Sequence, residues 1–205
     1  MINIALPTGR MGKSAYQRFA AIGYGCPGLL EDNRRLVFDN PAQGVRYLLV
    51  KPSDVAMYVE HGAADIGVAG KDVLLEEEPD IYELLDLALG ICRFAVAAPQ
   101  GWQDDHSRPL RVASKYPRVA RDYFLSQGRQ VEIIKLHGSV ELAPVIGLSD
   151  VIVDIVQSGA TIRENRLSIV AEIAESSARL IANKSSYQFQ MELIDQIKRK
   201  LEANL

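Results

Sequence analysis

Residues 147–165 read GLSDVIVDIVQSGATIREN, and this stretch decides the fold class. Val151–Val156 is apolar apart from Asp154, a composition typical of a strand that is buried on both faces of a parallel sheet. A turn of small residues follows at 157–160 and leads into a short helix. Because strands and helices alternate in this way along the rest of the chain, the sequence predicts an α/β fold with a mainly parallel sheet.

The same layout occurs earlier, in GAADIGVAG at 62–70. Each copy has a helix-stopping glycine, two further residues, an aspartate and then an apolar strand. This internal similarity predicts two similar α/β lobes with a cleft between them, although chance similarity of two βα units is the alternative.

The hydrophobic pattern places the remaining elements. Strands are predicted at 2–6, 36–38, 47–50, 66–69, 83–90, 91–98, 110–114, 131–136 and 169–174. Helices are predicted at 11–22, 52–59, 72–78, 117–126 and 140–146, with Ser139 as the N-cap of the last. Residues 186–201 are predicted to form one amphipathic helix with a single apolar face, composed of Phe189, Leu193, Ile194, Ile197 and Leu201.

Composition excludes several classes of protein. The 205 residues contain 23 Lys+Arg and 26 Asp+Glu, and this net charge of −3 lacks the basic excess of a dedicated nucleic-acid binder. The sequence shows no signal peptide and no apolar run long enough to span a membrane, so a cytoplasmic protein is expected. Cys26 and Cys92 are expected to be buried reduced thiols. The three histidines have no metal-ligand spacing.

The strongest candidate site is Asp154 with the loop that follows it. A carboxylate inside an apolar strand is costly unless it has a partner or emerges at the strand end. Backbone N–H groups of Gly159 and Ala160 at the helix start favour phosphate, and the hydroxyls of Ser158 and Thr161 add donors. An acid for sugar hydroxyls beside such a loop suits a ribose 5-phosphate group. The alternative is a purely structural strand–turn–helix with Ser158 as a cap.

Basic residues at other turns are weaker candidates. Arg10 lies in PTGRMGKS at 7–14, directly after the first strand, where α/β sheets bind ligands, but the glycine spacing does not fit a Walker A loop. Lys115 and Tyr116 follow the strand at 110–114 and could contact a phosphate and an aromatic base. Arg46 suits anions in the same general way. A solvated loop explains Arg10 nearly as well, and surface exposure is the better explanation for Lys115 and Tyr116. Arg46 is uninformative by itself.

Taken together, five blocks resemble the catalytic subunit of the ATP phosphoribosyltransferase family, over essentially the whole chain. They are ALPTGR at 5–10, EDNRRLVF at 31–38, GAADIGVAGKDVL at 62–74, SKYPRVARDYF at 114–124 and GSVELAPVIGLSDVIVDIVQSGATIREN at 138–165. The resemblance implies a type II periplasmic-binding-protein-like fold, with lobe I at 1–90 plus 177–205 and lobe II at 91–176. It also implies Mg²⁺-dependent condensation of ATP with phosphoribosyl pyrophosphate.

The resemblance assigns expected roles to the candidates. Asp154 would engage the ribose hydroxyls and the 158–161 loop the 5-phosphate, with Glu141 and Ser139 near that pocket. The cations expected on pyrophosphate or ATP phosphates are Arg10, Arg46, Lys71 and Lys115, with Tyr116 near the nucleotide. No acid or base is assigned, because the attacking nitrogen of adenine is unprotonated at neutral pH. Magnesium is expected on the substrate phosphates.

Two departures from the family pattern matter. Thr8 stands where the family commonly has Lys, and no third, regulatory domain follows the C-terminal helix. The latter resembles the short form of the family, which implies a regulatory subunit resembling histidyl-tRNA synthetase and dimers of this chain within a hetero-oligomer. A two-lobed small-anion-binding module without catalysis is the main alternative. Another phosphoribosyltransferase is a weaker one, since Val153 stands where that class has a second acid.

Overall fold

The computed structural model describes residues 1–31 and 34–205 and shows a mixed α/β protein with two sheets. Asp32 and Asn33, in the EDNRRLVF block, lie outside the described residues. One compact unit comprises Met1–Leu74, Glu78–Gly90 and Ser177–Leu205, and the other comprises Leu75–Glu77 and Ile91–Ser176. We call them unit 1 and unit 2.

The strands are β1 Ile2–Pro7, β2 Val37–Asn40, β3 Val45–Val50, β4 Ile66–Gly70, β5 Tyr82–Asp86, β6 Cys92–Pro99, β7 Leu110–Ser114, β8 Val131–Lys135, β9 Val151–Val156, β10 Leu167–Ser176 and β11 Ala178–Ala182. The α-helices are α1 Arg10–Phe19, α2 Val55–Glu60, α3 Lys71–Glu77, α4 Pro117–Ser126, α5 Leu142–Val145, α6 Ala160–Glu164, α7 Lys184–Phe189 and α8 Met191–Glu202. In the described ranges, no helix is both long and apolar enough to cross a membrane.

Unit 1 is built around strand β1, in a six-stranded sheet of order β2-β3-β1-β4-β11-β5. β1 is parallel to both of its neighbours, β3 and β4. Its side chains alternate between two faces, as the pleat requires. Ile4 packs on one face with Phe19 of α1 and Ile194 of α8, while Ala5 lies on the other face with Val59 of α2.

Gly12 lets α1 lie close to the end of β1. A Cβ atom at position 12 would stand 1.6 Å from the carbonyl oxygen of Pro7, far inside van der Waals contact. Only glycine therefore allows this approach. The close packing holds α1, whose first residue is Arg10, directly after the end of β1.

Unit 2 is built around strand β7 in a similar way. Its sheet has the order β10-β6-β9-β7-β8, and β7 is parallel to both β9 and β8. Phe94, Val112 and Val153 are buried on one side of this sheet, and Ile152 and Ile162 on the other. The apolar run of β9 is thus explained by burial on two faces, as the sequence predicts.

The internal similarity has a shared structural role. Asp65 precedes β4 and accepts a hydrogen bond from the backbone N–H of Asn3 on β1, at 2.8 Å. Asp150 precedes β9 and accepts one from the backbone N–H of Arg111 on β7, at 2.9 Å. In each unit, the aspartate joins the amino ends of two neighbouring parallel strands.

The prediction of a mainly parallel sheet is wrong, because both sheets are mixed. β2, β5 and β11 extend unit 1 in antiparallel pairings, and β6 and β10 do the same in unit 2. β11 has no counterpart among the predicted strands. The strand predicted at 83–90 ends at Asp86, whose carboxylate accepts a hydrogen bond from the Ala88 N–H at 2.8 Å in a tight turn where Ala88 has φ +49°.

The prediction of a single C-terminal helix is also wrong, since Gln190, with φ −128° and ψ 28°, separates α7 from α8. The side chains of Ser186 and Gln190 both donate to Asp65, at 2.7 and 3.1 Å, which holds the break in place. Phe189 is consequently 88% exposed and leaves the predicted apolar face, while Ile194, Ile197 and Leu201 are buried and Leu193 is partly buried.

Two smaller expectations need correction. Ser139 does not cap the helix after it: the helix begins at Leu142, whose N–H bonds the Ser139 carbonyl oxygen at 3.2 Å, and Ser139 itself has φ +48°. Cys26 is buried as expected, but Cys92 is only partly buried.

Candidate functional site

The candidate site of unit 2 lies at the carboxyl edge of its parallel strands. β7 and β9 run in register up to the pair Ser114 and Val153, and Lys115 and Asp154 each directly follow a member of this pair. β8 is parallel to β7 and ends at the same edge. The sheet therefore brings together three predicted segments that are distant in sequence, which is the usual place for ligands in α/β proteins.

The loop after β9 borders a depression with a volume of about 250 Å³, lined by residues 155–162 and Glu141. Glu141 reaches this position because β8 leads its chain to the same edge as β9. Glu141 therefore borders the loop, and its part in ligand binding stays a prediction.

Local contacts give the loop its shape. Gly159 has φ +72° and starts α6, and the Ser158 hydroxyl accepts a hydrogen bond from the Ala160 N–H at 3.3 Å. Arg163 donates from Nη1 to the carbonyl oxygen of Ser158 at 3.2 Å. The first N–H groups of a helix have no partner inside that helix, so the start of α6 offers donors to the depression.

Asp154 is only half-buried, in contrast to the buried Val153 before it. Its carboxylate accepts a hydrogen bond from the Ile155 N–H at 2.8 Å. An acid at this point of the strand is tolerated because it meets both solvent and a backbone donor.

The other predicted residues of unit 2 have different environments. Ser139 and Lys115 are exposed. Tyr116 is only 3% exposed and packs edge-to-face on Phe94, with ring centroids 4.9 Å apart. This burial gives the Tyr116 ring a packing role, and its contact with a nucleotide stays a prediction.

Two predicted cations of unit 1 follow neighbouring parallel strands. Arg10 comes after β1 and Lys71 after β4, so both stand at the carboxyl edge of that sheet. Lys71 Nζ forms an ion pair with Glu83 Oε2 at 2.6 Å, with both side chains about one-third exposed.

Arg46 does not join these two residues. It lies beside Asn3 near the amino end of β3 and forms a two-pronged ion pair with Asp39 of β2, at 2.6 and 3.1 Å. This pairing raises the pKa of the Arg46 guanidinium and lowers that of the Asp39 carboxyl. Since strands rise about 3.3 Å per residue, Arg46 stands more than about 10 Å from Arg10 along the sheet.

Two residues outside the predicted set bind the backbone at the start of α4. Ser114 is fully buried and its hydroxyl bonds two backbone groups. Glu76 caps α4, accepting from the N–H groups of Arg118 and Val119 at 2.9 and 3.2 Å. The serine of the SKYP block was a usable signal for the first, whereas nothing local in sequence links Glu76 to α4.

Residues 1–31 and 34–205 contain no group of three or more His, Cys, Asp or Glu side chains that could hold a metal ion. Mg²⁺ is commonly bound by one or two carboxylates together with water and substrate phosphates. Glu141 and Asp154, on either side of the loop, fit such a shared set.

The carboxyl edge of these parallel strands carries an acid and a loop that leads into a helix. This arrangement is typical of one class, the α/β proteins that bind phosphorylated small molecules. The sequence profile of the ATP phosphoribosyltransferase family matches residues 51–203. An ATP phosphoribosyltransferase of Brachyspira hyodysenteriae is 57% identical over all of both chains, and one of Caldanaerobacter subterraneus is 50% identical over 98% of this chain and 96% of its own. The chain therefore belongs to the ATP phosphoribosyltransferase family.

A solved structure agrees with this assignment. The ATP phosphoribosyl transferase (HisG:HisZ) complex from Thermotoga maritima contains a chain that is 34% identical, with a TM-score of 0.87 over 99% of this chain and 98% of that one. The fold is thus of the periplasmic-binding-protein-like type. The family consists of pentosyltransferases that catalyse the first step of histidine biosynthesis, so the binding module without catalysis is not favoured.

Proposed function

We propose that this chain condenses ATP with 5-phosphoribosyl 1-pyrophosphate, giving N1-(5-phosphoribosyl)-ATP and pyrophosphate. The observation that carries the proposal is the depression beside the 157–161 loop, which Glu141 completes from a different strand. Its position at the carboxyl edge suits a phosphorylated ligand.

The residues of unit 2 would bind the phosphoribosyl group. The start of α6 and the hydroxyls of Ser158 and Thr161 supply donors for the 5-phosphate, and backbone N–H groups suit an anion there. Asp154 supplies an acceptor for the ribose hydroxyls, with Glu141 and Ser139 at the border of the pocket. On this proposal, residues 91–176 form the phosphoribosyl-binding lobe, and residues 1–90 with 177–205 form the other.

Basic side chains would hold the pyrophosphate and the ATP phosphates. Lys115 and Asp154 each follow a residue of the last pair between β7 and β9, and Arg10 and Lys71 follow the neighbouring strands β1 and β4 of unit 1. Arg46 is the weakest member, because Asp39 already holds its guanidinium. With Thr8 in place of the lysine common in the family, Arg10 and Lys71 carry more of the charge that polyphosphate binding requires.

Catalysis would rest on alignment and electrostatics. The adenine nitrogen that attacks ribose C1 carries a lone pair at neutral pH, so no residue has to remove a proton from it. The remaining tasks are to align the two substrates and to stabilise the charge that develops on the leaving pyrophosphate. Mg²⁺, when bound to the substrate phosphates, would neutralise part of that charge, with Glu141 and Asp154 as available carboxylates.

We also propose that the chain works with a regulatory subunit resembling histidyl-tRNA synthetase, as dimers within a hetero-oligomer. The similar Thermotoga maritima chain belongs to a HisG:HisZ complex, which supports a partner of this kind. The cytoplasm is the proposed location, because ATP and phosphoribosyl pyrophosphate are charged metabolites that do not cross membranes unaided.

The test is a spectrophotometric assay with ATP, phosphoribosyl pyrophosphate and Mg²⁺, with and without the regulatory protein. We expect product formation that the partner increases, and loss of turnover in Asp154→Ala with the fold intact. Asp122→Ala, an exposed acid on α4, is the matched control and should retain activity. A folded protein that binds anions but forms no product in either condition would overturn the proposal in favour of the binding module.

A further inference from the structure

We infer that Ser114 is a positioning residue that holds Lys115 and Asp154 in place for phosphoribosyl pyrophosphate. The inference rests on the proposed function of those two residues. Ser114 ends β7 and is fully buried, so its hydroxyl meets protein groups and no solvent.

The Ser114 hydroxyl joins the ends of two strands. It donates to the carbonyl oxygen of Val153 at 2.7 Å and accepts from the N–H of Tyr116 at 2.8 Å. Val153 directly precedes Asp154, and Tyr116 directly follows Lys115. One side chain therefore fixes the backbone next to both residues, at the last register pair between β7 and β9.

The surroundings make this link stiff. The Tyr116 ring is buried against Phe94, which anchors the backbone on the far side of Lys115. Lys115 Nζ lies 5.3 Å from the centroid of the same ring, so the lysine side chain is placed over it. A buried serine with both hydrogen-bonding functions used has little freedom to turn, and its replacement by alanine would remove both bonds at once.

Replacing the hydroxyl should change geometry at the site more than it changes the core. Ser114→Ala removes a single oxygen atom but frees the ends of β7 and β9 to shift by a fraction of an ångström. Because misplacement of about 1 Å can cost about a hundredfold in rate, we expect kcat/KM for phosphoribosyl pyrophosphate to fall about tenfold to a hundredfold. Its KM should rise, since the affected residues bind that substrate.

The matched control is Ser149→Ala. Ser149 is also buried, at 3% exposure, and lies just before the opposite end of β9 in the same unit. Its hydroxyl has no hydrogen-bond partner among the residues that the structure describes. Ser149→Ala removes the same atom as Ser114→Ala but breaks no hydrogen bond. It should therefore keep the KM and kcat of the original protein.

A double-mutant cycle separates positioning from general damage. Affinity for phosphoribosyl pyrophosphate with Mg²⁺ is measured by calorimetry in the original chain, Ser114→Ala, Asp154→Ala and the double variant. If Ser114 acts through Asp154 as well as Lys115, its replacement should weaken binding about tenfold in the original chain and by a clearly smaller factor, about threefold, when Asp154 is absent and only Lys115 remains. An equal loss in both backgrounds, or no loss at all, would overturn the inference.

Two further outcomes are distinguishable. If Ser114→Ala does not fold, the same cycle is run with Ser114→Cys. The thiol is a weaker donor and acceptor, so the loss of affinity should be smaller and should still depend on Asp154. A loss of affinity that is independent of Asp154 overturns the inference. Lys115→Ala and Asp154→Ala could each weaken binding while Ser114→Ala leaves it unchanged. That result would refute the role of Ser114 and leave the proposed function standing. An original chain that binds no phosphoribosyl pyrophosphate would overturn the proposed function, and this inference with it.

Discussion

Asp150 offers a quantitative test of how unit 2 is held together. Its carboxylate accepts from the backbone N–H of Arg111 at 2.9 Å and from the Arg111 guanidinium at 2.8 Å. The Arg108 guanidinium adds two more bonds, at 2.8 and 3.0 Å. Asp150→Ala removes all of these bonds, including the one that links the amino ends of β7 and β9.

The expected cost follows from the exposure of each partner. The backbone bond to an ionised acceptor contributes about 1.5–3 kcal/mol. The side chains of Arg108 and Arg111 are 47% and 36% exposed, so solvent screening weakens both ion pairs and the backbone bond dominates. We expect a loss of about 2–4 kcal/mol in the free energy of unfolding of unit 2. With an m-value of about 1.5 kcal/mol/M, the urea midpoint should fall by about 1–3 M.

Trp102 makes the measurement specific to unit 2. It is the single tryptophan of the chain and packs against the core that contains Phe94 and Val112. Urea unfolding followed by its fluorescence therefore reports on this unit, with Asp122→Ala as the control for loss of an exposed acid. A midpoint within about 0.3 M of the control would refute the role given to Asp150.

The same residue predicts a pH dependence. Hydrogen bonds from Arg108, followed by those from Arg111, hold the pKa of the Asp150 carboxyl well below its usual range. Its contribution is thus complete above the unfolded-state value of about 4 and is lost as the pH falls through the lower pKa of the folded state. Unfolding measured from pH 5 down to pH 2 should show a shallower loss of stability in Asp150→Asn than in the original chain.

Three further outcomes are expected. Gly12→Ala should destabilise unit 1 by more than about 2 kcal/mol in thermal unfolding followed by circular dichroism, because its Cβ would overlap a backbone carbonyl of β1. Glu76→Ala should lower the stability of unit 2 by about 1 kcal/mol, seen in the tryptophan signal, because α4 loses its cap, whereas Glu77→Ala should not. Ellman's reagent should react with Cys92 well before Cys26, since burial and the nearby Asp39 carboxylate raise the pKa of the Cys26 thiol.

Controls sharpen these three tests. Gly138→Ala has no atom within 4 Å of its new Cβ and should change stability by less than about 1 kcal/mol. Equal melting temperatures for the two glycine variants would contradict the packing of α1 on β1. Equal effects of Glu76→Ala and Glu77→Ala would contradict the cap. Cys92→Ser should abolish the fast thiol reaction, and a fast phase that survives this change would place Cys26 at the surface.

The sequence predicts what depends on local pattern. β9, with its apolar run, and α4, with Pro117 at its start, have strong local signals and appear where expected. The loop at 157–161 was predictable for the same reason, since small and polar residues between a strand and a helix are a local signal for a turn. Glu141 beside that loop was expected only through the family resemblance.

Features that depend on distant partners were not predictable from one sequence. Phe189 fits an apolar helix face by spacing, yet Asp65, more than a hundred residues earlier, binds Gln190 and breaks the helix there. Arg46 is basic and only partly buried, but its pairing with Asp39 depends on the register of β2 against β3. In both cases the deciding energy comes from a tertiary contact that periodicity does not encode.

The position of β11 has a consequence for synthesis on the ribosome. This strand lies between β4 and β5, so the sheet of unit 1 stays divided until residues 178–182 have been made. Unit 2 takes all its strands from residues 91–176, which emerge earlier. At about 5–20 residues per second, the first half of the chain waits several seconds with an unpaired β4 edge. A released chain that ends at residue 177 should therefore be open to proteolysis within residues 1–74 while residues 91–176 resist it.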